Sequence, residues 1–128
     1  MSNIPSSVIK LAILEAQAST HRHKIGAVIF DKKYIISSGH NHAQRSVRSI
    51  TTRFLKWENS IHAEVMAIIK ARKDLKGASI LILRLSVKTK YGLAAPCKDC
   101  FKYLQYVGIR AVFYTVSSDD FSLTASKI

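Results

Sequence analysis

Cysteine is nearly absent from this chain: Cys97 and Cys100 are the only two among 128 residues. Two cysteines cannot build the disulfide framework on which small secreted domains depend. Long apolar runs are missing as well. Pro5, Lys10 and Glu15 interrupt the N-terminal stretch, so neither a secretion signal nor a membrane span is read there. The expectation is an intracellular, cytoplasmic setting with no membrane attachment. In that reducing compartment a close cysteine pair points to metal binding or redox chemistry. There is no repeat, low-complexity tract or dividing linker, so residues 1–128 read as a single domain. Acidic side chains are scarce: 8 Asp and Glu face 20 Lys and Arg, a formal charge of +12. A protein so basic attracts polyanions at long range, which favours phosphate-bearing partners.

What is present is ordinary globular material. Hydrophobic residues make up 48% and charged residues 22%, enough to bury a core without staples. Pro5–Ala18 reads as a helix, with Pro5 in its first turn and Val8, Leu11, Ala12 and Glu15 at helical spacing. Ile25–Phe30 and Tyr34–Ser38 are β-rich runs around Asp31-Lys32-Lys33, and predict an antiparallel hairpin. Gly39–Ser60 is polar and basic and reads as a long loop. Ile61–Lys73 predicts a second helix, capped by Asn59 or Ser60 and followed by Gly77. Ala78–Leu85 predicts a buried strand, Ser86–Ala95 a polar connector, Cys97–Val107 a third helix ended by Gly108, and Ile109–Val116 another strand. No assignment follows for the tail after Ser117.

The order α-β-β-α-β-α-β implies an α/β fold: a three-layer α/β/α sandwich around a mixed sheet of four or five strands. Strands joined through a helix should run parallel. Two notable motifs, His62-Ala63-Glu64 and Pro96-Cys97-Lys98-Asp99-Cys100, then begin helices on the same side of the sheet.

Those motifs suit a catalytic metal. Zinc in such a site takes three protein ligands and keeps a fourth position open, which one imidazole and two thiolates satisfy. Cys97 and Cys100 are three positions apart at a helix start, where the helix N-terminus favours thiolates. Glu64 then stands beside the metal as an acid–base group. A redox pair leaves His62 and Glu64 unexplained. A purely structural zinc needs a fourth protein ligand, for which His21, His23, His40 and His42 are the candidates.

Together, His62-x-Glu64 and Pro96-Cys97-x-x-Cys100 resemble the signature of the cytidine and deoxycytidylate deaminase superfamily, the zinc-dependent nucleobase deaminases. The resemblance spans about Ile25 to Tyr114 and includes Gly26-Ala27-Val28 and Gly39-x-Asn41. It implies Zn2+ held by His62, Cys97 and Cys100, with Glu64 catalytic. It also implies substrate contacts from Asn41 and from the Ala63 backbone, and a homodimer or higher homo-oligomer. The implied reaction is hydrolysis of a ring amine, cytosine to uracil, in a nucleotide or in single-stranded nucleic acid. Adenosine-to-inosine deamination in RNA is the alternative, and a nucleic-acid-binding module with structural zinc is an alternative of another class.

Basic residues cluster in the segments expected to flank this site. Arg45, Arg48, Arg53 and Lys56 precede the histidine motif; Lys88, Lys90 and Lys98 surround the cysteine motif; His23 and Lys24 precede the first strand. Arg48, Arg53, Lys88 and Lys90 are the candidate phosphate contacts, and Trp57 and Tyr91 are candidates for stacking on a base. The chain departs from the resemblance in its long connector, Ser86–Ala95. It departs also at Ala95, which has no polar side chain to offer a base.

Overall fold

The nearly unbroken apolar run Ile25–Asp31 forms strand β1, whose centre Ala27–Phe30 is buried from both faces. The computed structural model describes residues 4–19, 23–43, 60–87, 89–119 and 121–127. β1 turns at Lys32 and Lys33 and pairs antiparallel with β2 (Tyr34–His40), the hairpin expected from sequence, with a bulge at Ile29/Phe30. Its other edge pairs antiparallel with β5 (Ser79–Leu85). β5 pairs in parallel with β7 (Ala111–Thr115), and β7 pairs antiparallel with β8 (Leu123–Lys127). The sheet order is therefore β2-β1-β5-β7-β8. β8 comes from the tail for which the sequence offers no assignment.

Strand alternation sorts the core into two layers. Val28, Phe30, Leu81 and Leu83 face helix α1 (Ser6–Ala18) and pack with its Val8, Ala12 and Ala16. Ala27, Ile29, Ile80 and Ile82 face the other way, toward α2 (Ala63–Ala71) and α3 (Lys98–Val107), through Val65, Ile68, Tyr103 and Leu104. This is the α/β/α arrangement anticipated, with both motif-bearing helices on one face. β2 and β5 are both antiparallel to β1, hence parallel to each other across it. The two helical crossovers thus join parallel strands.

Gly39 sets how closely α2 can approach. A Cβ there would lie 2.7 Å from both the Ala67 nitrogen and Met66 Cβ, so only glycine lets the helix rest on β2. Ser37 Oγ pins the same contact by donating to the Ala67 carbonyl at 2.6 Å.

Several boundaries differ from the sequence reading: β2 runs on to His40, into the expected loop, and β7 is shorter at both ends. α2 begins at Ala63 rather than Ile61, because Ser60–Ile61 is drawn into a short strand, β4, against β3 (His42–Ala43). The cap of α2 is therefore His62, while Asn59 lies outside the described residues; at its other end Arg72, with φ 52°, closes the helix. The Ser86–Ala95 connector is also more than a polar loop. Tyr91–Gly92 folds back as β6 on Arg84 and Leu85, at the end of β5 beyond the residues that β7 pairs. Among the described residues no helix is long and apolar enough to cross a membrane.

Candidate active site

His62 and Cys97 are each the N-cap of a helix, extended at φ −83° and −67° respectively. Each therefore leaves the extended chain just where helical hydrogen bonding starts: Met66 N–H donates to the His62 carbonyl and Phe101 N–H to that of Cys97. Cys97 Sγ accepts from the Cys100 N–H at 3.4 Å, which turns both sulfurs toward one point. His62 Nδ1 meets them there, 3.2 Å from Cys100 Sγ and 3.9 Å from Cys97 Sγ.

Metal–ligand bonds of about 2.0–2.1 Å to nitrogen and 2.3 Å to sulfur imply tetrahedral N···S edges of about 3.6 Å. The two His62 separations bracket that value. All three donor atoms lie within 4.8 Å of one another, and among the described residues this is the group able to hold a metal. The donor set fits zinc, and three ligands leave a tetrahedral position open.

The electrostatics follow from one buried and one exposed thiol. Cys97, at the surface, accepts from the Cys100 thiol and, despite partial burial, is brought to about 4, with His62 adding to the effect. Cys100 is 1% exposed, and burial together with the Cys97 charge pushes its thiol up. Burial pulls the His62 imidazole down, but the hydrogen bond to Cys97 and the charge of Glu64 outweigh it and raise it. Glu64, 5% exposed, is raised by desolvation, partly offset by His62.

A cavity of about 280 Å3 opens over this group, near the small end for ligand sites. His62, Ala63, Glu64 and Cys97 line it together with Asn41, His23 and Arg84, and Leu93–Ala95 complete its wall. Ala63 is the first residue of α2, where a backbone N–H has no acceptor within the helix.

Asn41 lies on the cavity, but most of its side chain is already committed. Its Oδ1 accepts from Ser19 Oγ at 2.5 Å and from the Ile25 N–H at 3.0 Å, and its Nδ2 donates to the His23 carbonyl at 2.5 Å. It therefore ties the end of α1 to the start of β1. One Nδ2 hydrogen remains for anything in the cavity.

The basic residues divide differently from the sequence expectation. Arg45, Arg48, Arg53, Lys56, Trp57 and Lys88 lie outside the described residues. Lys90 does not line the cavity: it sits at the turn into β6, its Nζ 5.6 Å from the centre of the Tyr91 ring. Tyr91 is buried on the α1 side of the sheet, edge-on to Phe121 at 5.4 Å, and is no stacking platform for the site. Of the other histidines, His40 Nδ1 contacts Glu15 Oε1 at 2.6 Å, and His23 Nδ1 contacts Arg84 Nη2 at 2.9 Å. His21 lies outside the described residues.

The sequence reading missed Arg84. The available signal was a single charge inside the apolar run Ser79–Leu85, which a fully buried strand does not need.

Comparison with known proteins gives a consistent set of relatives. Residues 2–116 match the family described as the cytidine and deoxycytidylate deaminase zinc-binding region. An uncharacterized deaminase from Aliivibrio fischeri, encoded in the luxG 3′ region, is 29% identical over 101 residues. That match takes in 77% of this chain, which spans only 62% of the relative's length. Among solved structures, dCMP deaminase from the cyanophage S-TIM5 in its apo form has a TM-score of 0.61 at 22% identity, over 89% of this chain and 83% of that one. Cytidine deaminase from Burkholderia pseudomallei has a TM-score of 0.67 at 15% identity, over 98% and 93%. At these identities the structural likeness is one of fold.

Proposed function

The chain belongs to the cytidine and deoxycytidylate deaminase zinc-binding family, and from that premise we propose that it hydrolyses the ring amine of cytosine in a phosphate-bearing nucleotide, giving uracil and ammonia. The observation that carries the reading is the placement of a buried carboxylate, Glu64, on the same small cavity as His62 and Cys97. In this reading His62, Cys97 and Cys100 are the metal ligands. Zinc, when bound, supplies a Lewis acid that makes water a competent nucleophile near neutral pH.

The chain's own residues do the rest. Glu64 takes a proton from the attacking water and gives it to the ring nitrogen next to the reacting carbon. The water oxygen bonds to that carbon as the ring accepts the proton. Glu64 then takes up the second water proton and passes it to the amine, which leaves as ammonia while the C=O forms. Two protons and one oxygen enter from water, one NH3 departs, and Glu64 returns to its starting state. The Ala63 N–H and the remaining Asn41 Nδ2 hydrogen are the backbone and side-chain donors that orient the base. Ala94 and Ala95 form part of the wall.

Two features support a phosphate-bearing substrate: the charge of +12 and the nucleotide complex of a fold relative. The cyanophage dCMP deaminase has been seen with dCMP and dUMP. The deciding experiment is ammonia release over cytosine and adenine nucleosides, their monophosphates and short single strands, at several salt concentrations. A monophosphate should give a shallow fall of kcat/KM with salt, a strand a steep one and a nucleoside almost none. Turnover of cytidine-type nucleosides with no gain from phosphate would refute the nucleotide assignment, and turnover of adenine substrates alone would refute cytosine.

A further inference from the structure

Arg84 is the one charged residue of β5, and its side chain reaches the cavity that holds His62 and Glu64. Three contacts define its setting. Its Nη2 donates to His23 Nδ1 at 2.9 Å. Arginine has no acceptor, so that ring nitrogen must accept and the His23 proton resides on Nε2. Its aliphatic end and Nε lie flat against Gly92 of β6, where a Cβ would stand 2.9 Å from Cδ and 3.0 Å from Nε. Its Nε–H is buried and has no hydrogen-bond partner among the described residues.

This is an unusual way to treat a cation. The carboxylate on the same cavity, Glu64, interacts instead with His62 and Cys100. Among the described residues the one ion pair within 4 Å joins Glu15 and His40. Among the described residues, Arg84 thus keeps its charge beside a cavity with an imidazole as its side-chain partner. A buried donor without an acceptor is destabilising and needs an explanation in a folded protein. A ligand's anionic oxygen on the cavity side of the guanidinium offsets that cost by lying beside the charge. Guanidinium Nη donors are planar and directional and match phosphate oxygens. In a cytosine mononucleotide the anionic oxygens are those of the phosphate.

We infer that Arg84, braced by Gly92 and His23, recognises the phosphate of a mononucleotide and so sets the substrate preference of this cavity. The inference rests on the deaminase reading of the site for the identity of the base. It also gives the Ser86–Ala95 connector a purpose. By returning as β6 it lays Gly92 against the arginine and brings Leu93–Ala95 to the same cavity.

The test is equilibrium binding rather than turnover. Zinc-loaded wild-type protein and Arg84→Gln, Arg84→Lys and Gly92→Ala variants are titrated calorimetrically with dUMP, deoxyuridine and a short uracil-containing single strand. Arg84→Gln should weaken dUMP by roughly 10- to 100-fold, the worth of one or two charge-assisted hydrogen bonds, and change deoxyuridine by less than about 2-fold. Arg84→Lys should restore part of the loss. Gly92→Ala keeps the charge but displaces it, and should lower dUMP affinity in the same selective way, which covers the case of an unfolded Arg84→Gln. Equal losses for dUMP and deoxyuridine would place Arg84 on the base or sugar and overturn the inference. So would unchanged dUMP affinity, a loss confined to the strand, or failure of wild type to bind dUMP. Selective dUMP binding with no ammonia release from dCMP would instead sink the deaminase reading and leave the phosphate assignment standing.

Discussion

His62 Nδ1 lies 3.2 Å from Cys100 Sγ, although the two residues are 38 positions apart in the chain. Crowding two thiols and an imidazole favours the charged form of Cys97, while burial disfavours that of Cys100. A divalent cation resolves that imbalance by taking both as thiolates. About one equivalent of zinc per chain is therefore expected by elemental mass spectrometry. Cys100→Ser or His62→Ala should lose most of it. Full zinc retention by both variants would exclude this ligand set.

Glu64 should be separable from the metal group. Glu64→Gln keeps the shape of a buried side chain but cannot carry a proton. It is expected to retain zinc and the wild-type melting temperature while kcat falls by ~10²-fold or more. Loss of zinc in this variant would make Glu64 a ligand.

A second carboxylate has a different role. Glu15 on α1 accepts from Ser38 Oγ, and its Oε1 lies 2.6 Å from His40 Nδ1, both on β2. Burial alone would raise its carboxyl, but the His40 and Ser38 hydrogen bonds outweigh that and hold it below the ordinary glutamate value. The folded state therefore favours the charged form. The associated stability is present above the unfolded-chain value and disappears as pH falls through the folded one. Glu15→Gln should destabilise the protein by about 1–2 kcal/mol near neutral pH, as expected for hydrogen bonds to a charged group. In denaturant titrations the difference from wild type should shrink as pH drops below about 4. A difference that stays constant to low pH would exclude the charge as its source.

Asn41 links three segments, through Ser19, His23 and Ile25. It is 5% exposed, so truncation leaves buried partners without acceptors or donors. Asn41→Ala should cost about 2–4 kcal/mol in unfolding free energy, from more than one unmet buried group. Stability within 0.5 kcal/mol of wild type, an order-of-magnitude threshold for a neutral substitution, would show that these bonds are dispensable.

The parts of the structure legible in sequence were those with local patterns. The hairpin and the two central strands follow from apolar runs such as Ile25–Phe30 and Ala78–Leu85. Both helices at the site follow from apolar spacing behind the His62 and Cys97 motifs. What stayed hidden depends on contacts distant along the chain. β6 is only two residues long and exists because Arg84 and Leu85 offer an edge to Tyr91 and Gly92. β8 is a strand because β7 accepts it in register. The resemblance makes Asn41 a substrate contact, yet most of its hydrogen-bonding capacity goes to residues 16 to 22 positions away. Arg84 meets His23 across 61 positions, a pairing no local pattern announces. Tyr91 was read by its chemistry as a base platform, but strand alternation turned it to the far face.

The spacing of the three donor residues also bears on the order of assembly. Cys97 and Cys100 share one helical turn, so α3 alone can bring both sulfurs together. His62 is brought to them by the docking of α2 on β2 at Gly39, a contact between distant parts of the chain. The expected order is therefore capture by the cysteine pair first and closure by the histidine second. Gly39→Ala, which crowds that docking, should slow acquisition of slowly exchanging zinc in stopped-flow chelator competition while leaving the first, weak capture rate unchanged. Equal slowing of both phases would mean that capture and closure are a single event.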